Sequence, residues 1–107
     1  MNLGWIYLLA AGAFEIGWPL GIKMAQTPGK SITGILIAVV CMITSGVFLF
    51  LAQKQIPMGT AYAVWTGIGA AGTFIIGILM YQDPVGLVRI MGAFLIVAGV
   101  IVLKLAH

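Results

Sequence analysis

The sequence predicts an all-α membrane protein, a single domain over residues 1–107 that is built from four transmembrane helices. Hydrophobic residues make up 63% of the chain and charged residues only 7%. A soluble domain of this size could not cover its surface with so few charges. The apolar residues fall into four runs, and each run reaches the roughly 20 residues that a helix needs to cross a bilayer. Only short loops remain between the runs, so no soluble domain is expected.

The four helices are expected at about residues 3–22, 32–52, 58–81 and 87–105. We expect the first span to be retained and not cleaved as a signal peptide, because no Lys or Arg precedes it and another span follows at once. The one cysteine, Cys41, lies inside the second apolar run and is expected to pack as a small apolar residue.

The first span contains the only glutamate of the chain, Glu15, near its middle. A charge at the centre of a bilayer helix costs roughly 2.5–3.5 kcal/mol, so we expect this carboxylate to bind or carry something. Trp18 lies one turn later on the same face and offers an indole N–H donor. Pro19 has no N–H for the carbonyl of Glu15, which leaves either a second acceptor or a helix kink. Because one carboxylate holds a proton or a cation but hardly both, Glu15 alone could couple their movements.

The second and third spans supply the candidate neighbours of this carboxylate. Thr44 and Ser45 lie in the second span, and each hydroxyl is expected to bond to its own helix unless it faces a carboxylate. One face of the third span is expected to line the same cavity as the glutamate, with Tyr62, Trp65, Thr66, Gly69 and Thr73 at helical spacing. Gly67 and Gly69 either form a hinge for alternating access or allow close packing between helices.

The fourth span contains Gly92 and Gly99, which are seven residues apart and share a helix face. Small residues at this spacing favour close helix association, so this helix is expected to form a dimer contact. The preceding loop carries Asp83-Pro84, a turn signal in which the Asp83 side chain is expected to be solvated.

The basic residues are scattered along the chain, at Lys23, Lys30, Lys54, Arg89 and Lys104. This scatter at helix ends and loops argues against nucleic-acid binding and favours anchoring at the membrane surface. One side of the membrane would carry three of them and the other two, a difference of 3 − 2 = 1. With so small a bias the chain can insert both ways round, which favours an antiparallel homodimer with two glutamates at a shared cavity. A parallel oligomer is the alternative.

We do not expect an enzyme. The sequence has no phosphate-binding loop and no cluster of His and Cys ligands. Its two carboxylates cannot form a catalytic pair, because Glu15 lies within a span and Asp83 in a loop. No metal or other cofactor is expected, and the energy source would be the proton gradient.

The chain resembles the small multidrug resistance family of proton-coupled exporters along essentially its whole length. The resemblance rests on the four spans, the single glutamate in the first, the run Gly-Thr-Ala-Tyr-Ala-Val-Trp-Thr-Gly-Ile-Gly at 59–69, and the glycine pair of the fourth. Trp18 and Lys23, three and eight residues after the glutamate, look like the guanidinium-exporter subtype. Pro19 departs from the small residue expected after that tryptophan.

The resemblance implies a dual-topology, antiparallel homodimer in the bacterial inner membrane, which exports guanidinium or small guanidinylated cations in exchange for protons. Glu15 of each subunit would bind protons and substrate alternately. Behind it, Trp18, Ser45 and Trp65 would form a hydrogen-bonding stack, and Tyr62 would switch between the two access states. Export of quaternary ammonium or other lipophilic cations, with resistance to such drugs, is the alternative within the family. A paired heterodimer stays open, whereas a rotary-motor proteolipid subunit would leave the aromatic face of the third span unexplained.

Overall fold

The computed structural model describes residues 2–106 and contains four α-helices within them: α1 (Leu3–Ala25), α2 (Ser31–Ala52), α3 (Met58–Tyr81) and α4 (Leu87–Ala106). All four are long and apolar enough to cross a membrane, which confirms the predicted all-α class. The first helix runs three residues beyond the predicted end at residue 22, and the amide of Gln26 then donates to the carbonyls of Lys23 and Met24. The hydropathy pattern missed this last turn because it extends past the apolar run.

Close approach of α1 and α2 depends on small residues near the end of α1. A β-carbon placed on Gly21 would lie 2.5 Å from the backbone nitrogen of Ala38. One placed on Gly34 would meet the backbone of Ala25. The two helix backbones are therefore in direct contact, which only small residues permit.

A compact apolar cluster joins the helices at the end of the molecule that holds the start of α1 and the loop between α2 and α3. Its buried members are Trp5, Leu8, Ala52, Ile56, Ala61 and Val64. Beside the cluster, the side chain of Gln55 accepts a hydrogen bond of 3.0 Å from the amide of Gly4. The ammonium of Lys104 lies 5.0 Å above the Trp5 ring. We refer to this group as the packed end.

The opposite end of α3 closes with a tight turn. Gln82 adopts a left-handed conformation with φ 55°, and its amide and that of Asp83 both donate to the carbonyl of Gly77. The following loop is held by Arg89, whose Nε donates to the carbonyl of Pro84 at 3.0 Å. These bonds fix where the chain leaves α3 and enters α4.

The last helix lies at the margin of the bundle. Among the described helices, the α4 backbone comes close to that of α3 alone, although the Lys104 side chain reaches Trp5 of α1, and α4 has no fully buried residue. A β-carbon on Gly92 or Gly99 would meet nothing within 4 Å, so the face that these glycines share is open on the single chain. The predicted dimer contact stays a prediction, and this open face is available for it.

Candidate functional site

Glu15 lies partly buried on α1 at the edge of a cavity between α1 and α3. The cavity has a volume of about 340 Å³ and is lined by Glu15, Trp18, Pro19, Thr66, Gly69, Ala70 and Thr73. The structure thus brings the carboxylate together with three members of the predicted third-helix face. It also places the tryptophan and proline that follow the glutamate at the same opening.

Gly69 lies directly against the Glu15 side chain. It is buried, and a β-carbon added to it would lie 2.6 Å from Cγ of Glu15 and 3.2 Å from its Cβ. The same tight fit recurs above and below, because Gly12 faces Ile68 and Gly72 faces Ile16. Glycines therefore set the distance between α1 and α3 at the level of the carboxylate. The hinge role expected for Gly69 stays a prediction, whereas its contact with Glu15 is direct.

Ser45 and Trp65 form a hydrogen-bonded connection behind the carboxylate. The Ser45 side chain is fully buried, accepts from Nε1 of Trp65 at 2.8 Å, and donates to the carbonyl of Ala11 at 2.7 Å. In a regular α-helix that carbonyl also accepts the amide proton of Glu15, four residues later. The connection therefore runs from α3 through α2 to the turn of α1 that carries the carboxylate. Its Ser45–Trp65 part matches the stack that the resemblance implied.

Trp18, the third member of that implied stack, lies at the cavity opening. Within the described part of the chain, no hydrogen bond joins its indole to Ser45 or to Glu15. Trp18 is placed one turn after the carboxylate with its ring at the cavity wall. It can therefore contact a cation held by Glu15, and its participation in the stack stays a prediction.

Tyr62 lies one turn before Trp65 and is 56% exposed on the single chain. Its ring meets the Trp65 ring edge-on, with centroids 5.3 Å apart and an angle of 60° between the planes. The hydroxyl of Thr66 donates to the Tyr62 carbonyl at 2.8 Å, so it bonds within its own helix. Tyr62 and Trp65 thus form an aromatic pair, and neither lines the cavity, although the sequence predicted that both would. The switch role assigned to it is untested by this arrangement.

Gly67 is buried on a different side of α3 from Gly69. A β-carbon there would lie 2.5 Å from a methyl carbon of Val100 on α4. Gly67 therefore permits close packing of α4 on α3, the second of the two roles considered for it.

No group of three or more His, Cys, Asp or Glu side chains in residues 2–106 could hold a metal ion. The chemistry available at the cavity is that of one carboxylate, hydroxyl groups, aromatic rings and backbone carbonyls.

A second opening adjoins the first and is lined by Lys23, Tyr81 and Asp83, a grouping that was not predicted from the sequence. A signal for this grouping was present. The loops after the first and third spans lie on one side of the membrane, so the ends of α1 and α3 come to the same level.

The comparisons with known proteins concern almost the entire chain. The model of the family described as "Small Multidrug Resistance protein" matches residues 3–96. Two similar proteins named "Guanidinium exporter" are those of Yersinia pseudotuberculosis, 45% identical over 104 residues, and Salmonella typhimurium, 45% identical over 105 residues. A third of the same name, from Proteus vulgaris, is 42% identical over 104 residues. Each alignment covers 97% of this chain and 98–99% of the relative. The chain belongs to the small multidrug resistance family, as its glutamate, its third-helix motif and its four membrane-spanning helices predicted.

Proposed function

We propose that the protein is a proton-coupled antiporter that exports guanidinium or small guanidinylated cations, with Glu15 of each subunit binding protons and substrate alternately. The observation that carries the proposal is the placement of Glu15 at an open cavity that Trp18 also lines, with the Gly69 backbone against its side chain. Relatives named guanidinium exporters align with nearly the whole chain and support this choice of substrate.

The chemistry suits a small planar cation. Guanidinium presents N–H donors in a flat fork that matches the two oxygens of a carboxylate. Its faces stack on aromatic rings, and Trp18 lies at the same cavity as the carboxylate. When a proton neutralises Glu15, the attraction for the cation is lost. Protonation and substrate binding then exclude each other, which is sufficient for exchange.

The proposed assembly is an antiparallel homodimer in the bacterial inner membrane, driven by the proton gradient without a cofactor. Three features support it. The lysines and arginines give little orientation bias, the α4 face with Gly92 and Gly99 is open, and each chain carries only one membrane-embedded carboxylate. Two copies in opposite orientations would supply the inverted symmetry on which many transporters rely.

Quaternary ammonium and other lipophilic cations are the second candidate substrates. Around the carboxylate, Pro19, Gly69 and Ala70 give the cavity small and mostly apolar walls. A volume of about 340 Å³ on the single chain would also accommodate cations larger than guanidinium. For larger apolar cations, contact with these walls would compensate for the hydrogen bonds that they cannot form with the carboxylate.

The test is electrophysiology on protein reconstituted into liposomes, with guanidinium and tetraethylammonium compared under the same proton gradient. We expect proton-coupled guanidinium currents from the wild type and none from Glu15→Gln, which keeps the size of the side chain and removes its charge. Preference for tetraethylammonium would favour the second candidate. Coupled exchange by Glu15→Gln would refute the assignment of Glu15 as the shared site.

A further inference from the structure

A second crevice lies between α1 and α3 on the side of Glu15 that is away from the packed end. It has a volume of about 200 Å³ and shares Pro19 and Thr73 with the wall of the Glu15 cavity. Beyond those two residues, its walls carry Lys23, Tyr81 and Asp83. Since Lys23 follows Glu15 by eight residues, the two levels are separated by roughly 12 Å along α1. The crevice therefore leads from the helix ends towards the carboxylate.

The turn after α3 aims the Asp83 carboxylate into this crevice. The left-handed conformation of Gln82 reverses the chain, and the amide of Asp83 donates to the Gly77 carbonyl at 3.1 Å. A β-carbon on Gly77 would collide with the Asp83 carboxylate, so the absence of a side chain at Gly77 makes room for it. Asp83 is exposed, as expected for a loop residue, but its position is fixed by the turn.

A cation already occupies the aromatic part of the crevice. The ammonium of Lys23 lies 5.7 Å from the centroid of the Tyr81 ring, within the range of a cation–π contact. A ring face and a carboxylate on one wall, with a cation against the ring, are the elements of a cation-binding site. The cation here belongs to a flexible side chain, which can leave without disturbing the helices.

We propose that Tyr81 and Asp83 form a second cation site at the mouth of the crevice, where guanidinium binds before it reaches Glu15. The ammonium of Lys23 competes for the Tyr81 face. Guanidinium displaces it because a planar cation stacks on the ring while its N–H groups reach the carboxylate, and an ammonium lacks that flat fork. The proposal rests on the proposed function and adds to it a first contact that sets how readily substrate is captured.

Substrate capture and turnover should then separate in kinetic measurements. In the electrophysiological assay, we expect Asp83→Asn to raise the KM for guanidinium about twofold to fivefold, the loss typical of one exposed ion pair, with kcat within about twofold of wild type. Asp83→Glu should restore most of the affinity. Tyr81→Phe should keep the wild-type KM because the ring remains, whereas Tyr81→Leu should raise it about threefold, as for one exposed cation–π contact.

Removal of the competing ammonium should have the opposite effect. We expect Lys23→Met to lower the KM for guanidinium about threefold, as for loss of one cation–π competitor. The matched control is Lys30→Met, which removes one positive charge from the same side of the membrane but does not line the crevice. Its KM should stay at the wild-type value, which separates local competition from a change in surface charge or topology bias.

The outcomes distinguish this proposal from the proposed function. If wild-type protein carries no guanidinium current, the proposed function fails and the second site has no substrate. If wild type transports guanidinium while Asp83→Asn and Lys23→Met both keep its KM, the second site is refuted and the proposed function stands. An equal effect of Lys30→Met and Lys23→Met would also refute it. Size-exclusion profiles of the purified variants verify that each one is folded.

Discussion

Substitution of Gly69 by alanine tests whether the backbone of α3 positions the carboxylate. The added β-carbon would lie 2.6 Å from Cγ of Glu15. Two carbon atoms in ordinary contact are about 3.5 Å apart at closest, so either the α3 backbone or the Glu15 side chain must move by roughly 0.9 Å. Overpacking of this kind costs about 1–3 kcal/mol, partly offset by the roughly 1 kcal/mol that alanine gains over glycine in a helix.

The expected result is a large loss of transport with a small change in stability. A displacement of about 1 Å at a binding group can reduce a rate by about a hundredfold. We therefore expect Gly69→Ala to lower kcat/KM for guanidinium by about tenfold to a hundredfold in proteoliposomes. The matched control is Gly46→Ala in the middle of α2, where an added β-carbon meets nothing within 4 Å. Wild-type transport by Gly69→Ala would show that this contact does not position Glu15.

Three further predictions concern packing and assembly. Ser45→Ala removes the hydroxyl that accepts the indole N–H of Trp65. We expect the free energy of unfolding to fall by about 1–3 kcal/mol, measured by denaturant unfolding. An unchanged denaturation midpoint would show that the Trp65–Ser45 hydrogen bond does not contribute to stability. Gly34→Ala places a carbon against the α1 backbone, which cannot rotate away, so a thermal midpoint clearly below that of the Gly46 control is expected. In Gly99→Leu, the added side chain meets open space on the single chain. We expect this variant to keep its helicity but to shift from dimer to monomer in detergent. A retained dimer would exclude this face as the dimer contact.

Hydropathy and spacing predicted the features that a bilayer imposes. The spans follow from the need for roughly 20 apolar residues per crossing, and Glu15 is conspicuous because almost any other residue costs less there. Helical spacing placed five residues of the third span on one face, and three of them line the cavity: Thr66, Gly69 and Thr73. Tyr62 and Trp65, the other two, do not. These predictions succeed because each depends only on local sequence and on the apolar interior of the membrane.

Features that depend on contacts between helices could not be derived in the same way. The expectation that the Ser45 hydroxyl bonds to its own helix is wrong, because it donates to the carbonyl of Ala11 on α1. Its other partner, Trp65, was implied only by the family resemblance. Gly67 and Gly69 were grouped because they are close in sequence. Residues two apart in an α-helix point about 200° apart, so one faces α4 and the other Glu15. The closeness of Lys23 and Tyr81 depends on where two separate helices end.

The packed end has a consequence for how access to Glu15 can change. Its apolar cluster fastens α1 to α3 near Leu8, whereas the crevice lies between the far ends of the same helices. From Leu8 to Lys23 the helix extends roughly 22 Å, so a tilt of about 5° about the cluster moves the far end by about 2 Å. A small rotation of α1 about the cluster would therefore change the width of the crevice while the residues of the cluster stay in contact. Because Gly69 contacts Glu15 between the cluster and the crevice, any such tilt would also shift the carboxylate against the α3 backbone.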